Sequence, residues 1–107
     1  MTRYGSVLRI KEEAIERYKE YHASVWPEVL AAIHEANIRN YSIYLQGDYL
    51  FGYYEYHGSS YEVDMAAMAR NPKVMEWWAI MMPMQTPIDG RAPGEWWASM
   101  EEVFHMD

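Results

Sequence analysis

At 107 residues, half of them hydrophobic and none of them cysteine, the chain reads as one domain spanning residues 1–107, with a single core and no recourse to disulfides or thiolate metal ligands, a composition that fits cytoplasmic residence. A net charge of −7, with nine Lys and Arg scattered along the chain, argues against nucleic acid and anionic membranes as partners. No run approaches the ~20 apolar residues of a membrane span, and Met1 to Gly5 lead into a strand-like pattern rather than a signal-peptide core.

Tyr4 to Ile10 alternates, Ser6, Leu8 and Ile10 against Gly5, Val7 and Arg9, and predicts a first strand. Glu12 to His22 is rich in helix formers, with Ala14, Ile15, Tyr18 and Tyr21 or His22 at helical spacing and Glu12, Glu13 and Glu16 favouring its N-terminal end. Pro27 lacks a backbone donor and disfavours helix in the residue before it, so a break is predicted between Ser24 and Pro27 before Val29 to Ile33 resumes. Tyr41–Gln46 and Tyr49–Tyr56 are two β-rich runs joined by Gly47-Asp48, the signature of a hairpin. Tyr61 to Arg70 returns to helical character, and Asn71-Pro72 reads as an N-cap followed by proline at the first position of a helix reaching about Met82. After a loop holding Pro83, Pro87, Gly90, Pro93 and Gly94, the segment Met100 to Met106 alternates as a last strand.

The order β, α, β, β, α, β is the ferredoxin-like α+β plan, an antiparallel four-stranded sheet with helices on one face. Tyr41, Ile43 and Leu45 on one side and Tyr44 with its neighbours on the other make both sheet faces too apolar for simple exposure. A homodimer whose sheets face each other would cover the second face, and the 83–99 loop is a competing cover.

Five side chains form the candidate site: Tyr18, His22, Tyr41, Trp77 and Trp78. Tyr18 and His22 lie four apart and so share a helix face, where a titratable imidazole beside phenol and indole rings can hold a sugar and move protons on it. Each has a bland alternative. A lone helical histidine is about as often a surface or satisfied core residue, and a strand tyrosine can simply be packed. Adjacent tryptophans point about 100° apart on a helix, so one can enter the core while the other lines a cavity. His34, His57 and His105 show no metal-ligand spacing, and no metal site is expected. The methionines read as core filling, and no glycine-rich phosphate loop or nucleophile motif is present.

The strings Tyr18-Lys19-Glu20-Tyr21-His22, Val25-Trp26-Pro27-Glu28, Asn40-Tyr41-Ser42-Ile43-Tyr44-Leu45, Trp77-Trp78 and Glu102-Val103-Phe104-His105-Met106 closely resemble the L-rhamnose mutarotase family, in order and over nearly the whole chain. The resemblance implies a cofactor-free isomerase that interconverts the α and β anomers of L-rhamnose, or of a related 6-deoxysugar such as L-fucose, built as a dimeric α+β barrel. It implies His22 as proton donor and Tyr18, Tyr41, Trp77 and Trp78 as sugar-binding residues. The stretch Pro83 to Trp97 departs from the family's pattern in length and composition. Two other classes share the fold or the aromatic pocket: a cofactor-free monooxygenase of the dimeric α+β barrel type, and a non-catalytic sugar-binding module.

Overall fold

Residues 1–107 are described by a computed structural model. Strand β1 (Thr2–Ile10) is followed by a 3-10 turn (Glu12–Ala14), helices α1 (Ile15–Ala23) and α2 (Pro27–Glu35), and strands β2 (Ile38–Gln46) and β3 (Tyr49–Tyr56). Helices α3 (Tyr61–Ala69) and α4 (Pro72–Met81), a 3-10 turn (Met82–Met84) and two short strands, β4 (Gln85–Thr86) and β5 (Ala98–Met100), complete the chain. The sheet runs β2-β3-β1-β4, with β5 also paired to β1, and every pairing is antiparallel. This is the predicted ferredoxin-like plan with its last strand divided in two.

Local chemistry sets the element boundaries. Proline at the first position of α2 holds Trp26 extended, at φ −58° and ψ 134°, and so separates α2 from α1. At α4 the Asn71 side-chain oxygen accepts from the backbone N–H groups of Lys73 and Val74, at 2.9 and 3.3 Å, which satisfies two donors the helix cannot. Gly47 turns the hairpin with φ 62°, a left-handed conformation that glycine adopts without steric cost.

The sheet's alternation then decides what meets the helices. In the β1–β3 pair Leu8 stands opposite Leu50, and both are buried against Tyr18, Val29, Trp77 and Met81 from the helices. The register of β2 slips once, between Arg39 and Ser42, where Asn40 and Tyr41 together oppose Tyr54. Asn40 takes the left-handed conformation, φ 52°, that such a bulge requires. The extra residue changes the phase of the strand, so that Ile38 before the bulge and Tyr41, Ile43 and Leu45 after it all face the helices.

The predicted last strand, Met100 to Met106, is corrected: only Met100 belongs to a strand, and residues 101–107 have no regular structure. The edge of β1 is taken by two shorter pieces, Gln85–Thr86 at Arg9 and Ile10 and Ala98–Met100 at Gly5 to Val7. Beyond Met100 the chain is tied to β1 by a side chain instead of the ladder, through the Arg3–Glu102 ion pair at 2.7 Å. The 83–99 segment packs Trp96 and Trp97 against the core on the helix side, which leaves Tyr44, Tyr49 and Phe51 exposed on the other face.

Removing the Asn71 cap should destabilise α4. Asn71→Ala is expected to cost about 1 kcal/mol in urea unfolding with an unchanged m-value, while Asn71→Asp retains most of it; equal stability of the alanine variant would show that the cap is dispensable.

Candidate active site

Between the helices and the inward sheet face lies a cavity of about 1010 Å³, lined mainly by apolar side chains. Tyr18, His22, Tyr41, Trp77 and Trp78 all line it. The break at Pro27 matters here, because it stops α1 one residue past His22 and leaves that imidazole in the last helical turn.

Tyr18 and His22 stack with ring centroids 4.2 Å apart. The His22 Nδ1 lies 2.8 Å from the Tyr18 carbonyl oxygen; a carbonyl only accepts, so Nδ1 carries the proton. In the neutral ring Nε2 is then a lone-pair acceptor. No buried side-chain nitrogen or oxygen lacks a partner, and Nε2 has none within the protein, so it opens to the cavity. Burial pushes the His22 pKa below the usual 6.5, against a smaller upward pull from the Tyr18 carbonyl. The ring is therefore mostly neutral at pH 7.

The two tryptophans divide as helical geometry demands. Trp77 is buried and meets His22, Tyr21 and Trp26 edge-on, at centroid distances of 5.4, 5.8 and 5.2 Å, so it braces the imidazole. Trp78 is 37 % exposed and offers its indole to the cavity. Tyr41 exposes 43 % of its surface, yet its hydroxyl is surrounded by protein, and burial pushes its pKa up to about 12. Burial also raises Tyr18, whose hydroxyl keeps its proton across the neutral range.

Other residues reach the cavity that the motifs did not single out. Tyr4 stacks on Tyr61 at 4.5 Å and on Tyr54 at 5.4 Å, Tyr54 and Tyr61 share a hydrogen bond, and Tyr41 leans on Tyr54 at 5.3 Å. Gln85 is the only buried polar side chain, bonded to Tyr18 and to Trp96. A glutamine amid Met82, Pro83, Met84 and Pro87, and a second tryptophan pair at Trp96-Trp97, were the signals available for these. No three His, Cys, Asp or Glu side chains are placed to hold a metal ion, and no helix is long and apolar enough to cross a membrane.

An NMR titration of His22 should show the Nδ1–H tautomer and a midpoint below 6.5. A midpoint above 6.5, or an Nε2–H tautomer, would contradict the burial and the backbone hydrogen bond described above.

A family model described as L-rhamnose mutarotase matches residues 3–106. An L-rhamnose mutarotase of Oceanobacillus iheyensis is 32 % identical, the alignment covering all of both chains. An L-fucose mutarotase of Xanthomonas campestris pv. campestris is 33 % identical over 99 % of this chain and 89 % of its own. The crystal structure of an L-rhamnose mutarotase from Formosa agariphila superposes with a TM-score of 0.78 over the whole of both chains at 24 % identity, so the two share a fold.

Proposed function

The chain belongs to the L-rhamnose mutarotase family, and on that premise we propose that it is a carbohydrate isomerase that interconverts the α and β anomers of L-rhamnose, or of a related 6-deoxysugar such as L-fucose, with His22 moving the proton. The single observation that carries the role of His22 is its geometry: Nδ1 is committed to the Tyr18 carbonyl while Nε2 is open to an aromatic cavity. Family membership favours isomerisation over the oxygenase and the non-catalytic module.

Opening a pyranose moves one proton from the anomeric hydroxyl to the ring oxygen as the bond between C1 and the ring oxygen breaks and the C1 carbonyl forms. Both oxygens are bonded to C1, so one base can serve both. Neutral His22 takes the anomeric proton at Nε2, and the imidazolium so formed donates it to the departing ring oxygen. Its place in the last turn of α1 and its Nδ1–H bond to the Tyr18 carbonyl favour that transient cation. The carbonyl carbon then rotates, and the steps reverse on the other face. Tyr18 and Tyr41, their pKa values raised, act as neutral hydrogen-bond donors and acceptors, and Trp78 supports the C–H face and methyl group of the ring.

His22→Ala is expected to lower enzyme-catalysed anomer exchange on L-rhamnose by roughly 100-fold or more, measured by saturation-transfer NMR. Because the neutral imidazole starts the reaction, the wild-type kcat/KM should fall as pH drops through a value below 6.5, an acid limb absent from the variant. If the wild type accelerates exchange on neither L-rhamnose nor L-fucose, the assignment fails.

The same reading includes a homodimer, through the sheet face that no helix covers. Val7, Tyr44, Tyr49, Phe51 and Tyr53 make that face apolar, and Tyr44 is 67 % exposed. Sedimentation should give twice the mass of a 12.7 kDa chain, and Phe51→Asp should shift it towards monomer; a monomeric wild type would sink the dimer.

A further inference from the structure

We propose that Gln85 and Trp96 form a positioning relay that fixes the direction of the Tyr18 hydroxyl, so that its proton is delivered to an acceptor oxygen of the sugar. The inference rests on the mutarotase reading of the site. It begins at Trp96, whose indole N–H can only donate and lies 2.9 Å from Gln85 Oε1. That contact orients the whole amide, because the end facing Trp96 must be the oxygen. The other end is then the NH₂ group, which donates to Tyr18 Oη at 3.1 Å.

A phenol oxygen that accepts from an amide still carries its own hydrogen. Tyr18 Oη makes no other hydrogen bond within the protein, and its side chain borders the cavity, so the hydrogen is left for a ligand. Without the relay a phenol can present either its hydrogen or a lone pair; with it, Tyr18 is a donor. A fixed donor recognises the ring oxygen, or a hydroxyl used as an acceptor, and supports charge that grows on that oxygen as the ring opens.

The relay is held away from α1, which carries Tyr18. Gln85 is 7 % exposed and sits on β4, paired with Ile10, while the Lys11 backbone N–H donates to the neighbouring Met84 carbonyl at 2.9 Å. Trp96 lies two residues before β5. One member thus sits on the first piece of the divided fourth strand and the other in the connection just before the second piece.

The test compares Gln85→Glu, Gln85→Met and Trp96→Phe with the wild type, by anomer-exchange rates across pH and by thermal unfolding. A carboxylate still accepts from Trp96 but can only accept from Tyr18, so it turns the phenol hydrogen away from the sugar. Gln85→Glu is expected to lose roughly 10- to 100-fold in kcat at neutral pH, and its rate relative to wild type should recover towards acid pH, where a protonated carboxyl can donate as the amide does. Gln85→Met fills similar volume and leaves the phenol free to rotate, and Trp96→Phe lets the amide flip; both should lose less than Gln85→Glu. A purely structural role predicts instead losses that track thermal stability, with a flat ratio to wild type across pH, and that result would overturn the relay. Should Gln85→Glu fail to fold, wild-type rates in both other variants would do the same. Absence of exchange by the wild type removes the mutarotase premise and the relay together, whereas an active wild type with an equally active Gln85→Glu removes the relay alone.

Discussion

The phase of the sheet is the constraint on which the site depends. Side chains along a strand alternate between faces with a period of two, so each strand has one chance to match its apolar residues to the helix side. In β2 no single phase suffices: Ile38 must reach the core beside Tyr56, and Tyr41, Ile43 and Leu45 must also face inward. One extra residue resolves the conflict. Asn40 accepts the left-handed backbone this demands, and its side chain donates to Glu55 at 2.8 Å on the neighbouring strand. Had β2 kept one phase from Ile38 onward, the Tyr41 ring would point to the exposed face and the cavity would lose one wall.

The helices impose a second constraint, complementary to the first. A continuous helix through Pro27 would bury the end of α1 and pair its last carbonyls, whereas the break leaves His22 in a terminal turn with its ring folded back on the Tyr18 carbonyl. The bond chooses the tautomer, burial among Tyr18 and Trp77 keeps the ring mostly neutral, and the helix end favours the cation when it forms. These influences act in opposite directions on the proton. A group asked to take a proton and return it within one reaction works best when neither form is held too firmly.

Much of this was legible in the sequence, and the reasons for success and failure are physical. The helix breaks and caps at Pro27 and Asn71, the hairpin at Gly47 and the one-face pairing of Tyr18 with His22 depend on neighbours in the chain, so local rules find them. The division of Trp77 and Trp78 followed from helix geometry alone. The bulge at Asn40 was invisible, because a register slip exists only relative to a partner strand. The last strand was misplaced for a related reason: Met100 to Met106 has the alternation of a strand, but β1 has one free edge, already paired with Gln85–Thr86 and Ala98–Met100. Pattern proposes a strand, and only an available edge can grant it.

Dividing the fourth strand has a consequence for chemistry as well as topology. A continuous edge strand would need successive residues along β1, and its side chains would alternate between the core and the open face. Two short pieces separated by residues 87–97 instead bring Gln85 and the Trp96-Trp97 pair to one side of the sheet from distant points in the chain. Gly52 makes room for this, since a Cβ there would stand 3.3 Å from the Trp97 ring. The stacked Tyr18–His22 pair on α1 is thereby separated from the groups that orient its phenol: the first is fixed by a helix end, the second by a segment anchored at both ends. Loop anchors tolerate changes in length and composition that a helix face does not. A fold arranged this way can keep its helix-borne histidine in place while the edge pieces change which polar groups meet the cavity.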